Sequence, residues 1–314
     1  MKFFSKKISL GAGLAVLFVV SSGVYSLGYK IAMNKFNDLV SYTQEKQKMY
    51  ENLSEIDYLI RNEYIGNIDE SKILEGIYIG YLGGVDDVNC KFFRRSDYLK
   101  YTEEKKNQPG EVLTDKFKNG SIGYIKIGSL GKGSGDEFIK TVDSFKSEQI
   151  DKIIIDLRTS YGGIMEEGFK ILKYLAPEGD LVYTLKKSGE KAVVCSSDTP
   201  RADLKVVILT SNYSWGAAEV VASGLKDSIN AKIVGQITSG NAATEKMVEI
   251  NEESVIVFPD ATYVTLGNNN FYGKGLSPDQ IVNMDEKKEI LLHQSKLSYE
   301  EDDQLQTAIN VIDE

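Results

Sequence analysis

Two hydrophobic patterns divide the chain. From Ile8 to Tyr29 the run ISLGAGLAVLFVVSSGVYSLGY carries no charge, and about 20 apolar residues in a helix span a bilayer core. From Ile31 to Glu63 the sequence is polar with spaced apolar positions. The later ones, Met49, Leu53, Ile56, Leu59 and Ile60, recur three and four apart and predict an amphipathic helix. A second helix is predicted over Asp69 to Leu82, stopped by Gly83-Gly84. Lys100 to Gly110 is charged and closes on Pro109-Gly110, which reads as a linker.

Beyond the linker the pattern changes. SIGYIKI (121–127) alternates as a strand, KIIIDL (152–157) and LKVVILT (204–210) are continuous apolar strands, and a short strand follows at 232–234. Between them, Asp136 to Phe145, Glu166 to Leu175 and Ala217 to Lys226 read as helices, and Val248 to Val264 alternates like antiparallel strands. Apolar strands alternating with helices define an α/β fold whose central sheet is covered on both faces. The expected organisation is an N-terminal anchor at 1–29, a helical region at 30–110, a core at 111–285 and a polar C-terminal tail at 286–314.

Charge and cysteine content narrow the function. With 37 Lys+Arg against 46 Asp+Glu, a net charge of -9, the chain lacks the basic footprint of a nucleic-acid binder. Lys2, Lys6 and Lys7 precede the uncharged run, which places the N-terminus in the cytoplasm and the remainder outside a plasma membrane crossed once. A cleaved signal peptide with Ser21-Ser22-Gly23 at its cleavage site is the alternative. Two cysteines, Cys90 and Cys195, and one histidine, His293, are too few for an imidazole-based metal centre, and no metal or cofactor is expected. An extracytoplasmic location permits a disulfide between the two cysteines without requiring one; two free thiols are the expectation.

Three blocks in order are similar to the tail-specific (C-terminal-processing) serine peptidases. They are IGYIKIGSL (122–130) followed by 152–179, then 204–245, then GKGLSPDQIV (273–282). The segment from Ile56 to Tyr98 also resembles that family's N-terminal region. The resemblance implies a crotonase-like core with a mixed sheet flanked by helices, and chemistry by a Ser nucleophile with a Lys base. It also implies that the turn at Gly162-Gly163 and the N–H of Ala217 form an oxyanion hole, which presents donors to a developing negative charge.

The same resemblance exposes departures. The family's serine stands three residues before the glutamate that is Glu219 here, and that position is Gly216. The family's lysine follows in a turn that reads Thr238-Ser239-Gly240-Asn241, so Asn241 occupies the general-base position, and Glu245 replaces an accessory Gln. A glycine has no side chain to attack a carbonyl, and an amide cannot be tuned into a base as a desolvated lysine can. Only about twenty residues separate Tyr101 from Ser121, too few for the PDZ module frequent in the family.

The expectation is an inactive peptidase homologue that binds peptide or a protein segment, with the helical N-terminal region as a possible homodimer contact. The alternative is an active peptidase using Ser214, whose plainer role is to cap the following helix. A third reading closes the cleft with Tyr213 and Trp215. Lys246, on a strand, and His293, in the polar tail, are expected to be solvated bystanders.

Overall fold

The computed structural model describes residues 10–198 and 203–314, with side chains described from residue 20 onward except 38 and 39. The chain divides into two compact units, residues 1–73 and 74–314. In the first, helix α1 (Leu10–Glu63) runs without a break, because no proline or tight turn interrupts it. Near its end Arg61 bonds Asp57 at 2.8 Å and Glu70 at 2.5 Å. Helix α2 (Glu70–Gly83) follows, within one residue of the expected bounds. Among the residues whose side chains are described, no helix is long and apolar enough to cross a membrane. Residues 1–9 lie outside the described ones, as do the side chains of 10–19, and these hold most of the uncharged run.

The second unit takes in α2 from residue 74 and continues with strand β1 (Lys91–Arg94) and helix α3 (Arg95–Asn107). Helix α3 replaces the linker expected at Lys100 to Gly110. It is held by Tyr98 and Tyr101, whose rings lie 5.8 and 5.0 Å from that of Phe93, while its charged remainder faces water. There follow β2 (Glu111–Phe117), β3 (Ile122–Ser129), α4 (Ser134–Ser147), β4 (Lys152–Asp156) and α5 (Met165–Leu175). Next come the hairpin β5 (Gly179–Lys186) and β6 (Lys191–Ser197), then β7 (Lys205–Thr210), α6 (Ala217–Ile229) and β8 (Lys232–Gly235). The chain ends with β9 (Lys246–Glu249), β10 (Ser254–Phe258), β11 (Ala261–Thr265), β12 (Gln280–Ile281), α7 (Glu286–His293) and α8 (Asp303–Asp313).

The principal sheet has the order β12-β8-β7-β4-β3-β2, parallel throughout except for antiparallel β2 at one edge. It is therefore a mixed sheet in an α/β fold. Strand β4 sits at its centre and alternates between two cores: Ile153 and Ile155 pack among α4, α5 and α6, and Ile154 faces the other way. That second core is completed by Leu305, Ala308, Ile309, Val311 and Ile312 of α8. The expected polar tail at 286–314 is thus corrected: it folds into two helices, and α8 covers a face of the sheet that would otherwise meet water. Cys195 is buried in the first core and Cys90 is partly buried, and both are free thiols.

Candidate active site

In an open α/β sheet, binding crevices form beyond the carboxyl ends of the parallel strands. Here three loops leave those ends: 157–164 after β4, 211–216 after β7 and 236–245 after β8. They are stitched together before any ligand arrives. Ser211 Oγ donates to the Arg158 carbonyl at 2.6 Å, and the Trp215 N–H donates to the Ser160 carbonyl at 3.0 Å. The third loop joins when Ser239 gives both its N–H (3.2 Å) and its hydroxyl (3.0 Å) to the Ser214 carbonyl.

Gly216 stands at the turn from β7 into α6 with φ 56° and ψ -107°. An L residue rarely adopts this backbone, and a catalytic nucleophile held on a sharp strand-to-helix turn is one of the settings in which such strain is kept. A Cβ built on Gly216 would meet nothing closer than Gly162 Cα at 3.9 Å, so the turn retains room for a side chain it does not have. At Gly163 the space is different: a Cβ would fall 2.4 Å from the Leu130 carbonyl oxygen, and φ is 129°, so glycine is required there. The N–H groups of Gly163 and Ala217 meet no protein acceptor among the described residues.

Glu219 ties these pieces together from beneath. Its carboxylate accepts the N–H groups of Gly216 (3.0 Å), Gly240 (2.7 Å) and Asn241 (2.8 Å), and the Thr238 hydroxyl. Burial pushes its pKa up, against the pull of those hydrogen bonds. Asn241 comes to the same cavity as Gly216, and its side-chain carbonyl accepts from Asn89 Nδ2 at 3.1 Å. Asn89 also contacts Tyr272, whose hydroxyl donates to Asp87. The Asn241 amide is therefore held at the end of a hydrogen-bond chain that runs through Asn89 and Tyr272 to the Asp87 carboxylate.

A cavity of about 550 Å³ unites Gly162, Gly163, Gly216, Ala217, Asn241 and Glu245. The six positions that the family resemblance singled out are brought together. Glu245 accepts from the Tyr101 hydroxyl at 3.1 Å and pairs with Lys105 at 2.7 Å. Burial alone would raise the Glu245 pKa; Lys105 outweighs it and holds the carboxyl below its ordinary range. Burial beside Glu245 pushes the Tyr101 phenol well above its ordinary value.

Other expectations fall. Ser214 does not cap α6, whose N-cap is Gly216. Instead it is fully buried, donates to the Leu157 carbonyl at 2.8 Å and accepts the Ser211 N–H at 3.0 Å. Trp215 forms part of the cavity wall without filling it, and Tyr213 faces His293 at 4.3 Å between ring centroids. His293 is accordingly no bystander. Lys246 is exposed on β9, with its ammonium 6.0 Å from the centre of the Phe258 ring. Sequence reasoning missed Asn89, Tyr101 and Lys105, which reach the site from more than a hundred residues away and carry no local signal. Among the described residues no group of three or more His, Cys, Asp or Glu side chains is arranged to hold a metal ion.

Comparison with known proteins gives the family. The family model "Peptidase family S41" matches residues 121–282, and the chain belongs to that family. A carboxyl-terminal-processing protease of Synechocystis is 24% identical over 200 residues, covering 64% of this chain and 46% of the relative. One from Picosynechococcus is 26% identical over 166 residues, covering 52% and 40%. The chain thus spans less than half the length of these curated relatives. Among solved structures, the photosystem II D1 C-terminal processing protease superposes with a TM-score of 0.51 at 21% identity, covering 56% of this chain and 48% of that one. This last likeness bears on the fold alone.

Proposed function

We propose that the chain is a pseudo-peptidase that holds a peptide or an extended segment of a partner protein in the cleft without cutting it. The observation that carries this reading is Gly216: the strained elbow is present and there is room for a nucleophile, but no side chain. Asn241, fixed by Asn89, supports it from the base position. The N–H groups of Gly163 and Ala217 remain available as donors for a carbonyl or carboxylate. A crotonase-like description of the core accompanies this reading, as does anchoring in the plasma membrane with the folded part outside the cytoplasm. The anchoring rests on Lys2, Lys6, Lys7 and the uncharged run from Ile8 to Tyr29. A homodimer through the N-terminal helices is a further element of the proposal, resting on analogy with the family.

The competing reading, catalysis by Ser214, is disfavoured because that hydroxyl is buried and spent on the Leu157 carbonyl rather than lining the cavity. Two experiments separate them. Calorimetric titration of the full-length chain with unfolded peptides is expected to show saturable binding, and the absence of binding to every peptide tried contradicts the proposal. A serine-reactive fluorophosphonate is expected to leave the chain unlabelled, whereas an adduct lost in Ser214→Ala establishes the competing reading.

A further inference from the structure

We propose that His293 is a positioning residue: it clasps the oxyanion turn to the elbow, and its protonation loosens the rim of the cleft. The last residue of α7 reaches both loops at once. Its Nδ1 lies 2.9 Å from the Tyr161 hydroxyl, and its ring meets that of Tyr213 at 4.3 Å, nearly edge-on. The two tyrosines in turn contact each other at 5.8 Å. Tyr161 immediately precedes Gly162-Gly163 and lines the cavity, while Tyr213 lies three residues before Gly216. Trp215, between them in sequence, packs its indole on Gly162, where a Cβ would lie 3.3 Å from Cδ1. A residue 132 positions from Tyr161 therefore joins the two loops that form the cleft floor.

The other ring nitrogen makes the clasp sensitive to protons. Nε2 is buried and has no hydrogen-bond partner among the described residues. In the neutral ring one nitrogen carries the proton and the other accepts; in the imidazolium both must donate. Whichever tautomer is present, protonation leaves a charged ring with a buried N–H that finds no acceptor, a state relieved by moving toward water. The groups facing the ring divide. Glu289 on α7 favours the cation, Lys126 on β3 opposes it, and Tyr161 and Tyr213 present phenol rings. Burial, aided by Lys126, holds the His293 pKa below its ordinary value. The clasp is accordingly closed at neutral pH and opens in acid. Its effect on ligand rests on the peptide-binding reading above; the clasp itself does not.

The chain contains one histidine and one tryptophan, so each gives a single spectroscopic signal. In the full-length chain, the His293 ring resonances and the Trp215 fluorescence are followed from about pH 8 to pH 5, the range where histidine titrates. The proposal expects the two to change together, with a midpoint below the ordinary histidine value. The fluorescence change should be absent in His293→Phe. It should fall to half or less in Tyr161→Phe, which removes one oxygen from a ring that is 58% exposed and leaves the fold in place. Flat Trp215 fluorescence while His293 titrates overturns the clasp, as does an undiminished response in Tyr161→Phe. Peptide affinity should weaken several-fold across the same transition. Constant affinity overturns the control of the cleft, whereas failure to bind peptide at any pH overturns only the peptide-binding reading.

Discussion

Oε2 of Glu219 accepts the backbone N–H of Gly216 at 3.0 Å, so a buried carboxylate in the first turn of α6 fixes the residue at the sharp turn from β7 into that helix. The same side chain fixes the N–H groups of Gly240 and Asn241. The turn at Gly216 and the turn at Gly240-Asn241 are thus held in register by one side chain.

Replacing Glu219 by Gln keeps the shape but turns an NH₂ toward groups that are all donors. Hydrogen bonds to a charged group contribute about 1.5–3 kcal/mol each, and Glu219→Gln is expected to lower unfolding free energy by about 2 kcal/mol or more in urea denaturation. The pH dependence gives a second check. Burial raises the Glu219 pKa against the pull of its hydrogen bonds. The stability linked to its titration is therefore fully present below the unfolded carboxyl value of about 4.3 and is lost as pH rises through the raised value, where burying the charge offsets part of what the hydrogen bonds contribute. The variant should lack that component of the stability profile. An unchanged midpoint and profile contradict the assigned role.

Arg158 is 1% exposed and is held between two carboxylates, Asp156 and Asp302, each at 2.7 Å, with Gln304 as a further partner. This network latches the start of α8 to the loop that leads into Gly162-Gly163. Removing one partner strands a buried charge, so Asp302→Ala is expected to cost about 3–5 kcal/mol in urea denaturation; a loss under about 1 kcal/mol contradicts the latch.

Acid should act on the same network. Burial alone would raise the Asp156 pKa, but Arg158 outweighs it and holds the carboxyl below its ordinary range. A depressed carboxyl stabilises the fold above the unfolded value, about 3.9, and that stabilisation is lost as pH falls through the depressed value. Circular dichroism should show cooperative unfolding displaced to higher pH in Asp302→Ala. Coincident acid transitions in the variant and the natural chain contradict this.

Leu305 on α8 is fully buried against β4 and β7. A Leu→Ala change in such a site removes transferred area and leaves a cavity, at about 2–5 kcal/mol, so Leu305→Ala should be among the more damaging single changes in the last thirty residues. A loss under about 1 kcal/mol returns those residues to the status of a tail.

That reversal shows where the sequence is readable. The four central parallel strands were legible because both their faces are buried, which leaves continuous runs such as KIIIDL and LKVVILT. The β5–β6 hairpin was not, because β6 is largely exposed and its apolar residues do not alternate cleanly. Helix α8 escaped notice because its apolar residues are few and set among polar ones, although five of them complete a core. The order of motifs singled out Gly216, Asn241 and Glu245, and their convergence in one cavity follows from the parallel strands. Ser214 was misread because N-cap statistics do not foresee two more residues of elbow before the helix begins. The partners Asn89 and Lys105, and the His293 contacts, depend on long-range packing that no local pattern encodes.

The central claim, a binding cleft that has lost its dyad, is tested most directly by hydrolysis of denatured casein. The natural full-length chain is compared with Gly216→Ser/Asn241→Lys. The elbow has space for the serine side chain at a backbone cost of about 1–3 kcal/mol. No cleavage by the natural chain and measurable cleavage by the double variant are the predicted results; cleavage by the natural chain, abolished in Ser214→Ala, contradicts the account.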